Sequence, residues 1–369
     1  MTINVFISST RHGEGKTTVA LGLLAAFSRK VRKIGFIKPI GRATVDFAGQ
    51  GIDQDVILMK EACAIPCYLK DMGPVATSGE FPVNFLSREG HRSVLERVEQ
   101  AYERVAAGKD LVAIEGTGGA TGGAAFGVSN AHLARRFGAK VLLVASGGIG
   151  QPIDEIVLNK SYYELNGVTV AGVILNKVFP NEMESVQSVV RRACDLIKVP
   201  LLGAVPHDPE LSRPTMQDVQ EELKGTVVQG EAELAKNSVS KILVGAMQAH
   251  NALEHLQGQV VLIVPGDRDD LVLAALASMY LAGRQDFGLN GVILTGNVPQ
   301  SRKLRQILSR TTIPVIETEQ DSFEVAARIN NLSAKLTPRD TPRLERAREL
   351  IRKHVDAAAV LTVLQEDAR

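Results

Sequence analysis

The sequence predicts an α/β protein in which mainly parallel β-sheets are covered by helices on both faces. Short apolar runs rich in β-branched residues alternate with stretches that have apolar residues at helical spacing, a pattern typical of β-α-β units. A glycine-bearing loop follows the first apolar run and precedes a helical run, which is the context of a phosphate-binding loop. The length of 369 residues favours two domains, because domains usually contain about 100–200 residues.

Six strands are predicted in the first half of the chain and four in the second. They are placed at residues 4–8, 33–38, 110–115, 140–145, 168–175 and 201–205, and then at 241–247, 260–264, 291–295 and 314–317. Residues 341–355 are predicted to form a charged helix. A polar, proline-bearing segment follows the sixth strand. We therefore expect a first domain at 1–210, a linker at 211–225, a second, smaller α/β domain at 226–340 and a C-terminal helix at 341–369.

The composition is that of an ordinary globular protein with almost no net charge. The 42 basic and 41 acidic residues leave a net charge of +1, so we expect neither nucleic acid nor a membrane as a partner. The cysteines Cys63, Cys67 and Cys194 do not make up a four-ligand metal site and are expected to be reduced core residues. We see no export signal and no apolar run of the ~20 residues that cross a bilayer. The sequence therefore predicts a cytoplasmic protein.

The loop after the first strand carries the residues of a nucleotide site. Its glycines would let backbone N–H groups approach phosphate oxygens, and the helix after it would direct its positive end at the anion. We expect Lys16 to bridge the β- and γ-phosphates of ATP and the Thr17 hydroxyl to bind Mg²⁺. The alternative is a glycine-rich turn with an exposed lysine. The residues expected to contact the nucleotide are Thr10, Arg11, Gly13, Glu14, Gly15, Lys16, Thr17 and Thr18.

A magnesium ion at the phosphates also needs carboxylates, which in a parallel sheet come from the ends of neighbouring strands. Glu115 closes an apolar run and precedes Gly116-Thr117-Gly118-Gly119, so we expect a metal ligand there rather than a surface charge. Asp55 begins a helix and is either a second ligand or a helix cap. Asp53 is the alternative cap.

Residues 2–210 resemble the P-loop ATPases of the dethiobiotin synthetase and cobyrinate synthase group. In dethiobiotin synthetases the phosphate loop also carries threonine in place of the usual first glycine, which falls here on Thr10, before the Gly-Lys-Thr of Gly15, Lys16 and Thr17. The resemblance implies a P-loop NTPase-type parallel sheet that binds Mg-ATP. Homodimers are the family expectation and the commonest oligomers.

The same resemblance assigns roles to four further residues. The family's second lysine, in a Lys-Pro pair, falls on Lys38, where it contacts the transferred phosphate. The acidic metal ligands fall on Asp55 and Glu115, and the asparagine that reads adenine falls on Asn176. An amide is suited to that task because it offers both a donor and an acceptor. The alternative for Asn176 is a turn residue.

The sequence also departs from this group. Arg42 lies where dethiobiotin synthetases carry small hydroxyl residues for their substrate, so we do not expect the diamine reaction. Arg11 occupies the place of the signature lysine of the related partitioning ATPases, which reaches across a dimer to the partner's nucleotide. The alternative for Arg11 is a solvated loop arginine.

The second half of the chain resembles the DRTGG domain. The resemblance rests on Val244-Gly245-Ala246-Met247 and on Gly266-Asp267-Arg268, although Asp269-Asp270 replaces the Thr-Gly-Gly of the motif. Because Gly266, Asp267 and Arg268 follow an apolar strand and open a helix, we expect a ligand site there. Arg268 suits a carboxylate or a phosphate. The alternative is a structural Asp-Arg pair on a turn.

An ATPase of this type followed by a DRTGG domain is the order found in the N-terminal region of long phosphotransacetylases. The sequence stops at Arg369, where the acetyltransferase domain would follow, so the resemblance predicts a free-standing version of that region. The first hypothesis is an ATP-binding regulatory protein with slow ATPase activity, which senses a small anionic effector or docks on a metabolic enzyme. The second is a ligase that uses ATP to activate a carboxylate or carbamate as a phosphate anhydride. Glutamine amidotransfer is not expected, because no cysteine follows Cys194.

Overall fold

The fold is given by a computed structural model that describes residues 2–42, 44–47, 50–77, 86–282, 287–332 and 334–366. The chain divides into two compact units. The first consists of Met1–Asp208 together with Leu336–Arg369, and the second of Pro209–Lys335. Among the helices of the described ranges, none is long and apolar enough to span a bilayer.

The first unit is built around a six-stranded sheet in which every strand pair is parallel. The strands of this unit are β1 Ile3–Ser9, β2 Ile34–Ile37, β3 Ile40–Gly41, β4 Thr44–Phe47, β5 Gln50–Asp53, β6 Val75–Ala76, β7 Leu111–Glu115, β8 Lys140–Ser146, β9 Val170–Val178 and β10 Leu201–Pro206. The six-stranded order is β10-β9-β8-β1-β7-β2. The central strands are mostly apolar and buried because helices cover both faces of the sheet.

Helices follow most of these strands. They are α1 Lys16–Phe27, α2 Gln54–Ala62, α3 Leu69–Met72, α4 Arg88–Ala106, α5 Asn130–Arg136, α6 Gln151–Leu165 and α7 Met183–Leu196. The β1-loop-α1 connection lies at the carboxyl end of the central strand. This arrangement confirms the predicted P-loop NTPase-type sheet and brings the carboxyl ends of β7, β1, β8 and β9 to one edge, where a ligand can bind.

The second unit is a smaller α/β domain with a five-stranded sheet of order β11-β15-β14-β13-β12. Its strands are β11 Thr226–Gln229, β12 Lys241–Val244, β13 Gly258–Pro265, β14 Phe287–Thr295 and β15 Val315–Glu317, and its helices are α8 Pro209–Ser212, α9 Met216–Leu223, α10 Ala249–Ala252, α11 Asp269–Ala282, α12 Arg302–Leu308 and α13 Ser322–Asn330. Only β11 pairs in the antiparallel sense among the described strands of this sheet. Alternate residues of β13 enter two separate apolar cores, one on each face.

Several elements differ from the sequence-based boundaries. The segment 211–225 was predicted as a linker with a short connecting helix at residues 216–224. That helix is present as α9, but its Met216, Val219 and Leu223 are buried in the core of the second unit. Strand β12 ends at Val244 rather than at residue 247, and β14 begins at Phe287 rather than at residue 291. The short strands β4 and β5 and the edge strand β11 were not predicted, because runs of four residues carry little periodicity.

The C-terminal segment adds two helices to the first unit, α14 Thr341–His354 and α15 Ala357–Gln365. Helix α14 packs closely on α1. A methyl group built on Gly22 of α1 would lie 2.4 Å from Cβ of Ile351, so a glycine is required at this crossing. The predicted charged helix is therefore part of the first unit, which carries the phosphate loop. It packs there because one face of the helix is apolar and buried, with Leu344, Ala347 and Ile351.

Candidate functional site

The loop between β1 and α1 has the conformation of a phosphate-binding loop. Gly13 and Gly15 have φ angles of +85° and +80°, which glycine adopts without the cost that a Cβ would add. Gly15 is the residue before the first turn of α1. The first-turn N–H groups of a helix have no intrahelical partners, so Lys16, Thr17 and Thr18 open a helix end suited to an anion.

Two side chains at the carboxyl end of β9 hold this loop. Asn176 Nδ2 donates to the carbonyl of Glu14 at 2.8 Å, and Lys177 Nζ donates to the carbonyl of Gly13 at 2.7 Å. A methyl group on Gly15 would lie 2.3 Å from Asn176 Nδ2. The glycine is therefore needed for this close approach. Lys177 itself has a φ of +59°, which is uncommon for a side-chain-bearing residue.

Thr17 and Glu115 come together as a hydroxyl-carboxylate pair. Glu115 ends β7 and is 1% exposed, and its Oε1 accepts a hydrogen bond from Thr17 Oγ1 at 2.9 Å. Its Oε2 is buried without a hydrogen-bond partner. Burial and the nearby Asp55 carboxylate raise the pKa of Glu115 to about 7. A buried carboxylate oxygen without a donor fits a metal ion at this position, because Mg²⁺ prefers hard oxygen ligands.

Lys38 lies beside this pair and is surrounded by carboxylates. Its Nζ contacts Asp53 Oδ1 at 2.9 Å and Glu115 Oε1 at 4.0 Å, and it also contacts Asp55 Oδ2. Burial lowers the pKa of Lys38, but the carboxylates of Asp55, Glu115 and Asp53 outweigh that effect and raise it. Lys38 is therefore a permanently charged group with its counter-ions already in place.

Asp53, and not Asp55, caps the helix that follows. The Asp53 side chain accepts from the backbone N–H of Asp55 at 2.9 Å and is the N-cap residue of α2. Its other oxygen accepts from the backbone N–H of Arg42 at 2.8 Å. The carboxylate of Asp55 is thus not used for capping and points to Lys38, which is consistent with the ligand alternative for this residue.

The remaining loop residues lie in mixed surroundings. Lys16 is half-buried, and burial lowers its pKa, so an arriving phosphate would compensate a charge that is poorly solvated. Thr10 is buried, with an Oγ1 that has no hydrogen-bond partner. Arg11 bonds Glu14 at 2.6 Å and Glu155 at 3.4 Å, while its side chain stays 52% exposed. These bonds direct the Arg11 side chain to residues of its own chain.

Sequence reasoning missed two buried asparagines that support the site. Asn159 of α6 donates to the carbonyl of Thr10 at 3.1 Å and accepts from Ala120 N at 2.8 Å. Asn130 of α5 donates to the carbonyl of Gly119 at 2.6 Å. Both fix the backbone around the phosphate loop. The available signal was a polar amide on the buried side of each helix, which is costly unless it is hydrogen-bonded.

In the second unit, Arg268 bonds the protein itself. Its guanidinium bonds both carboxylate oxygens of Asp270, at 2.9 and 3.0 Å. It also donates to the carbonyls of Gly245 and Met247, at 3.1 and 2.7 Å. A methyl group on Gly266 would lie 1.7 Å from the carbonyl oxygen of Val298. This geometry favours the structural alternative for the loop, with Asp270 rather than Asp267 as the partner of Arg268.

We therefore expect Arg268→Ala to destabilise the second unit. The variant leaves two carbonyls without their charged donor, at a cost of about 1–2 kcal/mol, whereas the exposed pair with Asp270 contributes little. Thermal unfolding should show a midpoint lower by a few degrees. Arg310→Ala, which changes an exposed arginine of the same unit, is the control. An unchanged midpoint together with a lost response to an anionic effector would instead support the ligand site at Gly266, Asp267 and Arg268.

Comparison with known families agrees with this architecture. The sequence profile described as AAA domain matches residues 4–215, which is more than half of the chain. The chain belongs to this family. The profile of the DRTGG domain matches residues 218–332. The predicted order of a P-loop domain followed by a DRTGG domain is thereby confirmed.

Phosphate acetyltransferases are among the curated relatives that match nearly the whole chain. The enzyme of Nitratidesulfovibrio vulgaris is 26% identical over 97% of this chain and 51% of its own length. That of Deinococcus radiodurans is 28% identical over 95% of this chain and 50% of its own length. The chain thus spans about half the length of the relatives it matches. These matches confirm the resemblance to phosphotransacetylases, whereas the resemblance to dethiobiotin synthetases stays a prediction.

Solved structures show more distant similarity. The cell division ATPase MinD of Pyrococcus furiosus is 18% identical, with a TM-score of 0.35, over 57% of this chain and 86% of its own. The CBS and DRTGG domains of Clostridium perfringens pyrophosphatase are 15% identical, with a TM-score of 0.27, over 40% of this chain and 70% of that one. At these scores neither similarity carries an argument about function.

Proposed function

We propose that this chain is an Mg-ATP-binding regulatory protein with slow ATPase activity. The observation that supports it best is the unpartnered, buried Oε2 of Glu115 next to Thr17 and Lys16, at the positive end of α1. Lys38 lies 4.0 Å from the other carboxylate oxygen, but Oε2 itself has no donor, and a cation at Oε2 would offset the cost of burying it. Together with a phosphate loop held in place by hydrogen bonds from Asn176 and Lys177, it fits a nucleotide with its metal.

Each residue has a task in this proposal. Lys16 bridges the β- and γ-phosphates, where its poorly solvated charge gains a counter-ion, and the loop backbone binds the phosphate oxygens. The Thr17 hydroxyl and the carboxylates of Glu115 and Asp55 would hold Mg²⁺. When bound, the ion would neutralise charge on the phosphate oxygens. Asn176 is proposed to read adenine in addition to bonding the loop.

The surroundings of Lys38 support slow rather than fast turnover. In phosphoryl transfer, a lysine stabilises negative charge that develops on the transferred group. The Lys38 ammonium group is already bonded to Asp53 and Asp55, so the phosphate must compete with two carboxylates. Lys38 is nonetheless the second residue proposed to act on the reacting phosphate, besides Lys16.

The regulatory part of the proposal rests on the two family matches. The relatives named phosphate acetyltransferase match this chain through both units, and we infer that the pair of domains has a regulatory role. We propose that ATP occupancy controls either docking on a metabolic enzyme or the response to a small anionic effector. A homodimer and a cytoplasmic location belong to the same proposal.

The test is ADP release from Mg-ATP, measured for the chain alone and with a panel of short carboxylates, carbamates and diamines. The regulatory proposal expects slow release, of the order of turnovers per minute or less, that no acceptor stimulates strongly. Stoichiometric consumption of one acceptor with ADP formation would instead establish the ATP-dependent ligase. The absence of any Mg-ATP binding would contradict both.

We expect the wild-type chain to prefer ATP over GTP and Asn176→Ala to narrow that preference. The substitution removes the amide proposed to read adenine and the hydrogen bond to the Glu14 carbonyl, so the affinity for both nucleotides should fall, for ATP by about tenfold. Calorimetric titration with each nucleotide measures the effect. Asn181→Ala, at an exposed position just after β9, is the control. Equal affinity of the wild type for ATP and GTP would remove the adenine-reading role.

A further inference from the structure

Two basic side chains at the phosphate loop have no task in the proposed Mg-ATP site. They are His12, in the loop itself, and Arg42, just after β3. Arg42 NH1 donates a hydrogen bond to His12 Nε2 at 3.2 Å, and both residues are exposed. We call them the His12-Arg42 pair.

The position of the pair follows from the strand order. Strand β1 carries the phosphate loop, β7 and β2 lie on one side of it, and β8 and β9 on the other. The pair lies on the β7-β2 side: the His12 ring packs against Gly118 after β7, since a methyl group there would be 2.9 Å from Nε2. Asn176, on β9, contacts the loop from the opposite side. The pair is therefore separated from the proposed adenine contact by the loop.

Lys38 and Arg42 differ in their charged neighbours. Lys38 is bonded to Asp53 and Asp55, and its charge is compensated. Arg42 has no carboxylate partner among the side chains that the structure describes, and its guanidinium faces an imidazole nitrogen that must be unprotonated to accept the bond. Burial and the charges of Arg42, Lys16 and Lys38 all lower the pKa of His12. The guanidinium of Arg42 is thus left without a bonded carboxylate among the described side chains, whereas Lys38 beside it has its counter-ions in place.

We propose that the His12-Arg42 pair is a subsite for an oxyanion, the carboxylate or phosphate group of a second small ligand that binds beside the γ-phosphate position. The planar guanidinium is exposed and can bind two oxygens of such a group at once. This inference rests on the proposed Mg-ATP function, because ATP is taken to be the first ligand. To that function it adds a second ligand with a carboxylate or phosphate group, which is either the acceptor of a ligase reaction or a regulatory effector.

Calorimetric titration of the full chain, saturated with Mg²⁺ and a non-hydrolysable ATP analogue, tests the subsite. Inorganic phosphate, acetate and acetyl phosphate are the probes. Binding of a carboxylate can then be compared with binding of a phosphate group. We expect at least one probe to bind, and Arg42→Gln to weaken that binding by about tenfold or more. Arg42→Lys keeps the positive charge but not the planar guanidinium with its paired donors. Its affinity for the probe should lie between those of the wild type and Arg42→Gln. Arg92→Gln, on the exposed face of α4, should bind as the wild type does.

The outcomes separate this inference from the proposed function. Affinity for the ATP analogue should stay within about twofold of wild type in Arg42→Gln, since the guanidinium bonds only the exposed His12 side chain of the loop and none of the residues expected to contact the phosphates. Binding of no probe, or equal binding by wild type and Arg42→Gln, would overturn the subsite. If Arg42→Gln binds the ATP analogue more weakly than the wild type but binds ADP equally well, Arg42 contacts the γ-phosphate. That result would also overturn the subsite. A wild type that binds no Mg-ATP, yet binds a probe in an Arg42-dependent way, would overturn only the nucleotide proposal.

Discussion

Lys16→Ala should weaken Mg-ATP binding by about 10- to 150-fold. The lysine ammonium is the charge expected to lie between the β- and γ-phosphates, and a charge-assisted contact in a preorganised site contributes about 1.5–3 kcal/mol. Because burial lowers the pKa of Lys16 in the nucleotide-free protein, its removal should not destabilise the fold. Calorimetric titration of Mg-ATP, with thermal unfolding in parallel, measures both quantities.

Lys30→Ala provides the matched control for this substitution. Lys30 is an exposed residue just after the same helix, and its loss removes a charge of the same kind away from the phosphate loop. We expect wild-type affinity in this variant. Equal ATP affinity in Lys16→Ala and wild type would contradict the assignment of the phosphate loop itself, and with it the proposed function.

Glu115→Gln should abolish most of the Mg²⁺ dependence of ATP binding. The amide keeps an oxygen that can accept the Thr17 hydrogen bond, but it removes the negative charge that the metal requires. ATP affinity measured with Mg²⁺ and with a chelator should then differ by less than about threefold, whereas the wild type should show a loss of about tenfold or more with the chelator. Glu103→Gln, an exposed change on α4, should retain the wild-type dependence.

The same variant makes a pH prediction for the nucleotide-free protein. The pKa of Glu115 is raised from its ordinary 4.5 to about 7, first by burial and then by Asp55. A folded-state pKa above the unfolded value means that the folded state retains a proton more readily. Its stability contribution is therefore present below pH 4.5 and lost as the pH rises through 7. The melting temperature of the wild type should fall over this window more than that of Glu115→Gln. Parallel curves would contradict a raised pKa at Glu115.

The local sequence was sufficient for the phosphate loop. Gly13 and Gly15 occupy backbone conformations that favour glycine, and the run from Lys16 to Phe27 forms a helix because of its own apolar residues. These are short-range properties that a single strand-loop-helix segment already carries. The sequence also places Thr17 and Glu115 at one site, as ligands of a magnesium ion, although 98 residues separate them. Strand ends of a parallel sheet meet at one edge, so the fold class alone brought the two together.

The local sequence could not show which acceptor each charged side chain bonds in the folded protein. Lys38 was expected to face a phosphate, and the tertiary structure adds that it is bonded to Asp53 and Asp55. Arg268 was expected to face a ligand, and its donors are directed at Asp270 and at two backbone carbonyls. In both cases the motif identified a charged donor. The identity of its acceptor depended on segments that only the folded chain brings within hydrogen-bonding distance.

The sequence by itself determined that this chain carries a phosphate-binding loop on a parallel sheet and a DRTGG domain after it, because both are encoded in contiguous residues whose backbone conformation and apolar pattern are local. Only the tertiary structure decided that Lys177 and Asn176 hold the loop, that α14 returns to pack against Gly22 of α1, and that His12 meets Arg42 beside Gly118. These contacts join residues far apart in the chain. Their partners are selected by packing and by the cost of leaving buried polar groups unbonded, and no local pattern records that selection.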